Sequence, residues 1–130
     1  MTDSSANVLV VDDSLTMRSF VVAALEAEGF EVAIAKNGFE ALVLLAQDRP
    51  FRIIITDVNM PTINGLEIVR KVRENPNRKE TPIIIISTDG RDTDREKGMK
   101  LGANTYLVKP FKPEALIKAV QECIGQTSKT

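Results

Sequence analysis

The sequence contains 130 residues, of which 17 are Lys or Arg, 18 are Asp or Glu, one is Cys and none is His. This length is typical of one domain that folds without disulfides, and the near-neutral charge gives no reason to expect binding to nucleic acid or to an anionic membrane. Without histidine the chain cannot form a Ser-His-Asp or Cys-His pair, and neither a zinc site nor an internal disulfide is expected.

The amino-terminal segment bears on where the protein works. Residues 1–5 are polar and slightly acidic, unlike the basic and apolar start of a signal peptide. No apolar run approaches the roughly 18 residues that a membrane-spanning helix needs. The sequence therefore predicts a cytoplasmic protein that does not associate with a membrane.

The first part of the chain predicts two strands, each followed by a helix. The first strand is apolar and rich in valine, as a buried strand is, and the second alternates like a strand nearer the edge of a sheet. The first helix has Asp13 or Ser14 as its N-cap and Gly29 just beyond its end. The predicted bounds are 7–11 and 31–35 for the strands and 39–47 for the second helix.

Three more strands and three more helices are predicted in the rest of the chain. Three consecutive isoleucines lead to Asp57 and four lead to Ser87, which is typical of strands that are buried on both faces. The polar residues from Gly125 onward predict a frayed end for the last helix. The predicted strands cover 53–57, 83–87 and 105–108, and the predicted helices cover 64–74, 92–101 and 113–124.

The alternation of five strands with five helices indicates the fold class. Such alternation predicts βαβ units with right-handed crossovers, and hence an α/β fold with a doubly wound parallel sheet between two layers of helices. The sequence contains no internal repeat, linker or composition change that marks a second domain. Residues 1–130 are therefore expected to form one domain, with its core at about 7–124.

Four of the predicted strands end on residues whose side chains can do chemistry. The first is followed by Asp12 and Asp13, the third ends on Asp57, the fourth ends on Ser87 and the fifth is followed by Lys109. Taken singly, each residue has an ordinary interpretation as a turn, a helix cap or a solvated lysine. Because the carboxyl ends of parallel strands meet at one edge, where such folds bind ligands, the set predicts a shared site.

The side chains of this set predict magnesium and phosphate chemistry. Three carboxylates at one edge repel each other unless a cation joins them, and ligands that are all oxygen suit Mg²⁺. Asp57 can then act as a nucleophile toward phosphorus. Mg²⁺, the Lys109 ammonium and the Ser87 hydroxyl can each take one phosphoryl oxygen.

These residues carry a resemblance to the receiver domain of two-component response regulators, from about residue 7 to residue 124. The resemblance implies a flavodoxin-like fold with the strand order 2-1-3-4-5. Asp13-Ser14, Met17-Arg18 and Asn59 are most similar to the stand-alone chemotaxis receivers. The marks that match the family are Asp12, Asp13, Asp57, Met60, Pro61, Gly65, Ser87, Tyr106, Lys109, Pro110 and Phe111.

The resemblance also implies a role for each site residue. Asp57 is the phosphoacceptor, Ser87 and Lys109 bind the phosphoryl group, and Tyr106 rotates inward when that group arrives. Asp13 is expected to be the closer metal ligand and Asp12 a more distant or water-mediated one. The implied ligands of Mg²⁺, direct or through water, are Asp12, Asp13, Asp57 and the backbone carbonyl of Asn59.

The implied function is a phosphorylation switch and not an enzyme with an external substrate, since it catalyses only its own phosphorylation and dephosphorylation. Its expected partners are a histidine kinase as phosphodonor, a phosphatase, and a downstream protein in chemotaxis or motility such as the flagellar motor switch. The downstream partner is expected on the face formed by the fourth helix, fifth strand and fifth helix. A monomer is expected, and a nucleic-acid partner is not.

Three other function classes were weighed against this one. A metal-dependent phosphatase or hydrolase with Asp57 as nucleophile is the main alternative, but Asn59 stands where the common aspartate-nucleophile phosphatases place a second acid. A nucleotide-binding domain is disfavoured because neither G-x-G-x-x-G nor G-x-x-x-x-G-K-[ST] occurs. A scaffold that never takes phosphate is disfavoured by the complete set of acids, hydroxyl and lysine.

Two departures from the family pattern modify these expectations. Thr88 stands where a small alanine is common after the hydroxyl, and its bulk narrows access to the phosphoryl group. Asn59 and Asp89 border the path of the water that hydrolyses the phosphorylated protein. Because both are polar, they favour a phosphoryl lifetime of seconds to minutes. The fourth helix is charged, poor in apolar residues and interrupted by Gly98. It is therefore the helix that we expect to open most easily.

Overall fold

The computed structural model describes residues 7–60, 63–87 and 92–128. The predictions about Pro61, Thr88 and Asp89 lie outside these ranges. Every predicted strand and helix is present, in the predicted chain order. The elements are β1 Asn7–Val11, α1 Leu15–Ala27, β2 Glu31–Ala35, α2 Gly38–Ala46, β3 Ile53–Asp57, α3 Gly65–Glu74, β4 Ile83–Ser87, α4 Asp92–Leu101, β5 Thr105–Val108 and α5 Pro113–Ser128.

All five strands are parallel and lie in the order β2-β1-β3-β4-β5, which confirms the predicted fold class and places β2 at an edge. Successive side chains of a strand point to opposite faces of the sheet. Ile54 of β3 therefore packs with α2, α3 and α4, whereas Ile53 and Ile55 pack with α1 and α5. The two helical layers bury both faces of the central strands, as the runs of isoleucine predict.

The helix starts show why these segments fold as they do. The Ser14 side chain accepts a hydrogen bond from the backbone N–H of Met17 at 3.2 Å, so Ser14 rather than Asp13 caps α1. The Asn64 side chain caps α3 in the same way, accepting from the Glu67 N–H at 3.1 Å. Beyond α1, Gly29 has a φ of 91°, which only glycine adopts without strain.

Four helix bounds differ from the prediction. The second helix ends at Ala46, one residue early, and the third begins at Gly65, one residue late, because Asn64 is its N-cap. The second helix begins at Gly38, one residue early, because the Asn37 side chain caps it by accepting from the Glu40 N–H at 2.8 Å. The fifth helix does not end at Ile124 but continues to Ser128. Buried Cys123 anchors the turn before this extension and no proline interrupts it, so the polar residues prolong the helix.

Gly98 explains how α4 packs despite its charged sequence. It is the buried residue among positions 94–101 of this helix, and a Cβ placed on it would lie 2.3 Å from Cδ1 of Ile85 and 3.4 Å from Cδ2 of Leu66. The missing side chain therefore lets the α4 backbone lie directly on β4 and α3. Sequence reasoning counted this glycine as a cost to the helix, whereas the packing of α4 depends on it.

Among the described residues, no helix has both the length and the apolar character that crossing a membrane requires.

Candidate functional site

The predicted site residues of β1, β3, β4 and β5 lie at the carboxyl edge of the sheet. Asp12 and Lys109 each follow a strand, while Asp57 and Ser87 are the last residues of theirs. Nζ of Lys109 lies 3.2 Å from Oδ2 of Asp57 and 3.7 Å from Oδ2 of Asp12. The lysine side chain is only 14% exposed, so its ammonium is held between two buried carboxylates.

Asp12 is held at three of its polar atoms. Its backbone N–H donates to the Ala35 carbonyl at 3.1 Å, and its Oδ1 accepts from the Ser14 N–H at 2.9 Å. Its backbone carbonyl accepts from Nη1 of Arg18 at 3.0 Å. Burial raises the pKa of Asp12 above its ordinary value and the neighbouring Asp57 adds to this rise, while the Ser14 N–H opposes it.

The carboxylate of Asp57 is bound on both sides. Oδ1 accepts a hydrogen bond from the Asn59 N–H at 2.9 Å, and Oδ2 accepts from the Lys109 ammonium at 3.2 Å. The hydroxyl of buried Thr56 donates to the Asp57 carbonyl at 3.1 Å. These contacts fix the orientation of the side chain, which is 3% exposed as a whole residue.

Gly65 lets α3 start directly beneath the acceptor. A Cβ at this position would lie 2.3 Å from the backbone oxygen of Asp57 and 2.9 Å from Cα of Val58. Both contacts are with backbone, so no side-chain rotation could relieve them. The glycine, which the family resemblance marked, is thus required for the close approach of the α3 backbone to β3.

Two buried polar atoms at this edge, Oδ2 of Asp12 and Oγ of Ser87, have no hydrogen-bond partner among the described residues. Buried polar atoms are rarely left in this state, because the cost of desolvation is then not offset. Carboxylate oxygens of Asp12, Asp13 and Asp57 all lie within 4.8 Å of one another. An all-oxygen cluster with an unsatisfied buried carboxylate oxygen fits a hard cation such as Mg²⁺.

The remaining predicted residues lie around this cluster. Asp13 and Asn59 are exposed, so they border the site from the solvent side. Tyr106 of β5 is 39% exposed and lies under Arg95 of α4, whose guanidinium carbon is 5.0 Å from the ring centroid. Nη1 of Arg95 is also 3.5 Å from the tyrosine hydroxyl. In this structure the tyrosine ring therefore contacts α4 at the protein surface.

Sequence reasoning assigned no role to Arg18 or Arg95. An arginine on a helix is usually a solvated side chain, and no spacing rule predicted that Arg95 would cover Tyr106. A weak signal existed for Arg18, because helical side chains point back toward the N-terminus and this one follows Asp12 by less than two turns.

A family model described as the response regulator receiver domain matches residues 8–121. This chain belongs to that family. The receiver is 40% identical over 121 residues to a chemotaxis protein CheY homolog of Campylobacter jejuni, which covers 92% of this chain and 93% of that protein. It is 42% identical over 118 residues to the chemotaxis protein CheY1 of Helicobacter pylori, covering 90% of this chain and 95% of that protein.

A solved structure gives the same result for the fold of this receiver. The chemotaxis protein CheY4 of Vibrio cholerae superimposes with a TM-score of 0.83 at 43% identity, covering 90% of this chain and 97% of the other. The family match confirms the predicted resemblance to response regulators and makes the chain a signalling domain. Receivers generally bind Mg²⁺ at an acidic pocket, and this receiver has its aspartate cluster at the corresponding edge of the sheet.

Proposed function

We propose that this receiver is a single-domain phosphorylation switch that takes a phosphoryl group from a histidine kinase onto Asp57. The observation that carries the proposal is the position of the Asp57 carboxylate, which lies between the Lys109 ammonium and the acidic residues of the β1 end. An acceptor carboxylate needs neighbouring positive charge to take on a dianionic group, and this edge provides a lysine and a cluster suited to a cation.

The metal ligands proposed are the carboxylates of Asp12, Asp13 and Asp57 and the backbone carbonyl of Asn59. When bound, Mg²⁺ supplies the positive charge that offsets the three carboxylates and the incoming phosphoryl oxygens. The buried Oδ2 of Asp12, which no described group hydrogen-bonds, supports this assignment.

The phosphoryl transfer forms one bond to phosphorus and breaks another. A carboxylate oxygen of Asp57 forms a bond to phosphorus while the bond from phosphorus to the donor nitrogen breaks, and the donor leaves as histidine. The Asn59 N–H, 2.9 Å from Oδ1, orients the carboxylate for this attack. The Lys109 ammonium and the Ser87 hydroxyl then bind phosphoryl oxygens, which gives the hydroxyl the partner that it lacks among the described residues.

The conformational response runs through the ends of β4 and β5. The backbone N–H of Lys109 donates to the Ser87 carbonyl at 2.8 Å, so the two phosphoryl-binding residues are directly linked. When the side chains of Ser87 and Lys109 reorient toward the phosphoryl group, the carboxyl end of β5 shifts with them, and Tyr106 moves inward from α4. The proposed output face is therefore formed by α4, β5 and α5.

The partners proposed are a histidine kinase, a downstream protein and a phosphatase. Chemotaxis or motility is the proposed pathway because the relatives from Campylobacter jejuni and Helicobacter pylori carry chemotaxis names. The flagellar motor switch is the downstream partner that this pathway suggests. We further propose that residues 1–130 act as one monomeric domain in the cytoplasm. The family match does not favour the alternative of a metal-dependent phosphatase.

Phosphorylation of Asp57 can be tested by intact-mass measurement after incubation with acetyl phosphate and Mg²⁺. We expect the wild-type protein to gain one hydroxylamine-sensitive phosphoryl group, and Asp57→Asn to gain none. The exposed Asp48, in the loop between α2 and β3, provides the matched control, because Asp48→Asn removes an equal charge away from the site. Normal phosphate uptake by Asp57→Asn contradicts the proposed acceptor, whereas uptake that is unaffected by chelating the metal contradicts the proposed role of Mg²⁺.

The switch can be followed by fluorescence, because Tyr106 is the single tyrosine and the chain has no tryptophan. We expect phosphorylation to change the tyrosine emission of the wild-type protein. Lys109→Ala should still accept phosphate from acetyl phosphate, more slowly, and leave the emission unchanged. A full emission change in phosphorylated Lys109→Ala means that the lysine does not transmit the signal.

A further inference from the structure

The hydrogen bond from Arg18 to the backbone of Asp12 has no part in the functions described so far. Asp12 lies one residue beyond β1, whose last register pairs join Val11 to Ala35 and to Thr56. The Asp12 N–H still reaches the Ala35 carbonyl, but its own carbonyl lies past the ladder. Nη1 of Arg18 donates to that carbonyl at 3.0 Å and so satisfies a backbone group that the sheet leaves unpaired.

This bond completes a set of contacts around one residue. The backbone N–H, the backbone carbonyl and Oδ1 of Asp12 are bound by Ala35, Arg18 and Ser14 respectively. Oδ2 is the polar atom of Asp12 that has no hydrogen bond from a described residue, and it belongs to the acidic cluster. The three contacts hold the residue so that its remaining carboxylate oxygen, which lies 3.7 Å from the Lys109 ammonium, belongs to the acidic cluster and can bind a cation.

We propose that Arg18 is a positioning residue for the magnesium site. By fixing the Asp12 carbonyl it fixes the peptide between Asp12 and Asp13, and hence the directions in which both carboxylates leave the backbone. The inference rests on the proposed magnesium-dependent function and adds a residue that does not touch the metal. Groups that orient metal ligands in this way commonly change metal affinity by 10-fold or more when they are removed.

Charge and positioning predict opposite results, which makes the proposal testable. Arg18 is a cation near a cation site, so by Coulomb's law alone its removal strengthens Mg²⁺ binding. If Arg18 acts by holding the Asp12–Asp13 peptide, its removal weakens binding, because the ligands must then be ordered at the expense of binding free energy. The sign of the change in affinity therefore separates the two effects.

The experiment titrates Mg²⁺ alone into metal-free protein at fixed ionic strength, with backbone amide NMR shifts as the readout. We expect Arg18→Ala to weaken Mg²⁺ affinity roughly 10-fold. Arg18→Lys, which keeps a donor and the charge, should stay within about 3-fold of wild type. Arg18→Gln keeps a donor without the charge and should lie between the two. Arg49→Ala removes an exposed arginine before β3, at the other end of the sheet, and should leave the affinity unchanged.

A second measurement separates positioning from a general loss of structure. Phosphorylation by acetyl phosphate is measured at rising Mg²⁺ concentrations, with thermal unfolding as the check that each variant is folded. We expect Arg18→Ala to need more Mg²⁺ for half of its maximal rate while the maximal rate stays within about 2-fold of wild type. Unchanged or tighter Mg²⁺ binding in Arg18→Ala overturns the proposal, as does a lower maximal rate with an unchanged Mg²⁺ requirement.

The same data distinguish this inference from the proposed function. The NMR titration does not depend on phosphate, so Mg²⁺ binding that weakens in Arg18→Ala supports the role of Arg18 even if Asp57 takes no phosphate. Phosphate uptake without any Mg²⁺ binding by the wild-type protein overturns the role of Arg18 and the metal ligands together, and leaves Asp57 as the acceptor.

Discussion

The two ends of the sheet treat buried polar groups in opposite ways. At the amino end, buried Arg78 donates to the carbonyls of Leu45 at 2.8 Å, Gln47 at 2.8 Å and Arg49 at 2.7 Å, and its guanidinium lies 5.3 Å from the centre of the Phe51 ring. At the carboxyl end, one oxygen of Asp12 and the hydroxyl of Ser87 have no hydrogen bond from a described residue. The buried arginine at the amino end is therefore hydrogen-bonded to several carbonyls, whereas two buried polar atoms at the carboxyl end have no such partner among the described residues.

Arg73 is a second arginine at the amino end of the sheet whose guanidinium is hydrogen-bonded to several acceptors. It donates to the carbonyls of Gly102 at 2.9 Å and Thr81 at 2.7 Å, and to Oδ1 of Asn104 at 2.9 Å, which in turn accepts from the Ile83 N–H at 2.9 Å. These bonds join α3 to the two loops that precede β4 and β5. The comparison suggests a division of roles that agrees with the proposed function. The arginines at the amino end are hydrogen-bonded to several acceptors and stabilise the fold, whereas the carboxyl end retains buried polar atoms for the proposed ligands at some cost in stability.

The largest expected effect on stability comes from Arg78→Ala. It removes three charge-assisted hydrogen bonds and leaves their carbonyls without those partners, so the free energy of unfolding should fall by about 3 kcal/mol. Urea denaturation measures the fall, and Mg²⁺ affinity should not change. Arg49→Ala is the control, since its exposed guanidinium also lies 5.2 Å from Phe51 and its loss should cost under about 1 kcal/mol. Weaker Mg²⁺ binding by Arg78→Ala would show that the two ends of the sheet are not independent.

The second-largest expected effect is a gain in stability, from Asp12→Asn. Asp12→Asn removes a buried carboxylate that stands beside Asp57 and should raise the free energy of unfolding of metal-free protein by about 1 kcal/mol at neutral pH. The same change should weaken Mg²⁺ binding. Urea denaturation in the presence of a chelator checks the first expectation. A less stable variant would show that the carboxylate supports the fold, as the arginines at the other end do.

The pH dependence of this difference follows from the pKa of Asp12. Burial raises that pKa above the ordinary value of 3.8, so in the window above 3.8 the folded protein retains a proton that the unfolded chain has lost. Stability from this group is therefore full below 3.8 and is lost as the pH rises through the folded pKa. The advantage of Asp12→Asn over wild type should grow with pH across that window, and a constant difference would contradict the expectation.

Ser87→Ala should leave stability nearly unchanged. The buried hydroxyl has no hydrogen bond to lose among the described residues, so the free energy of unfolding should move by no more than about 0.5 kcal/mol. The phosphorylated protein should nevertheless show a reduced change in tyrosine emission. Ser87→Thr retains the hydroxyl and should keep that change. A large loss of stability in Ser87→Ala would mean that the hydroxyl is part of the fold.

A similarly small effect on stability is expected at Arg95. Its contact with Tyr106 has the same arginine–ring geometry as Arg78 on Phe51, but Tyr106 is 39% exposed, so Arg95→Ala should cost roughly 0.5 kcal/mol. Without the guanidinium, the tyrosine should turn inward more often in unphosphorylated protein. Tyrosine emission shifted toward the phosphorylated value is the expected sign, with Arg95→Lys intermediate. Identical emission of Arg95→Ala and wild type would mean that the stacking does not hold the ring.

Hydrogen exchange tests whether α4 is the helix that opens most easily. The helix rests on the sheet through Gly98, and its Met99 is 40% exposed, so little apolar area opposes local opening. In unphosphorylated protein with Mg²⁺ present, amides of α4 should exchange faster than those of α1 and α5. Equal protection of the three helices would show that close backbone packing compensates for the missing apolar side chains.

The sequence was informative wherever a local pattern decides the structure. Runs of β-branched residues predicted the central strands, and Ser14 and Gly29 marked the two ends of α1 by a cap and a conformation that few other residues provide. Because parallel strands end at one edge, the residues at the ends of four strands predicted the composition of the site. The strand order came from the family resemblance, since no local pattern encodes which strands are neighbours.

The sequence was least informative where a contact joins distant segments. No role for Arg73 or Arg78 was predicted from the sequence, because an arginine near a helix end is usually solvated. Nε of Arg73 and Nε of Arg78 nevertheless donate to carbonyls that lie 29 and 33 residues away along the chain. Gly98 read as a helix defect because its contact with Ile85 depends on the distance between α4 and β4. Such contacts depend on how whole elements pack, which periodicity and propensity do not specify.

The packing of α4 on the sheet through Gly98 affects how this protein can change during evolution. The helix packs through the backbone at Gly98, while Glu96, Lys97, Met99 and Lys100 point outward. Its outward residues can therefore be replaced almost as a set without disturbing the core or the carboxylate cluster. Given the proposed output face, substitutions on this one surface of α4 are a simple route to a new partner, since the residues of the proposed phosphorylation site lie elsewhere and need not change.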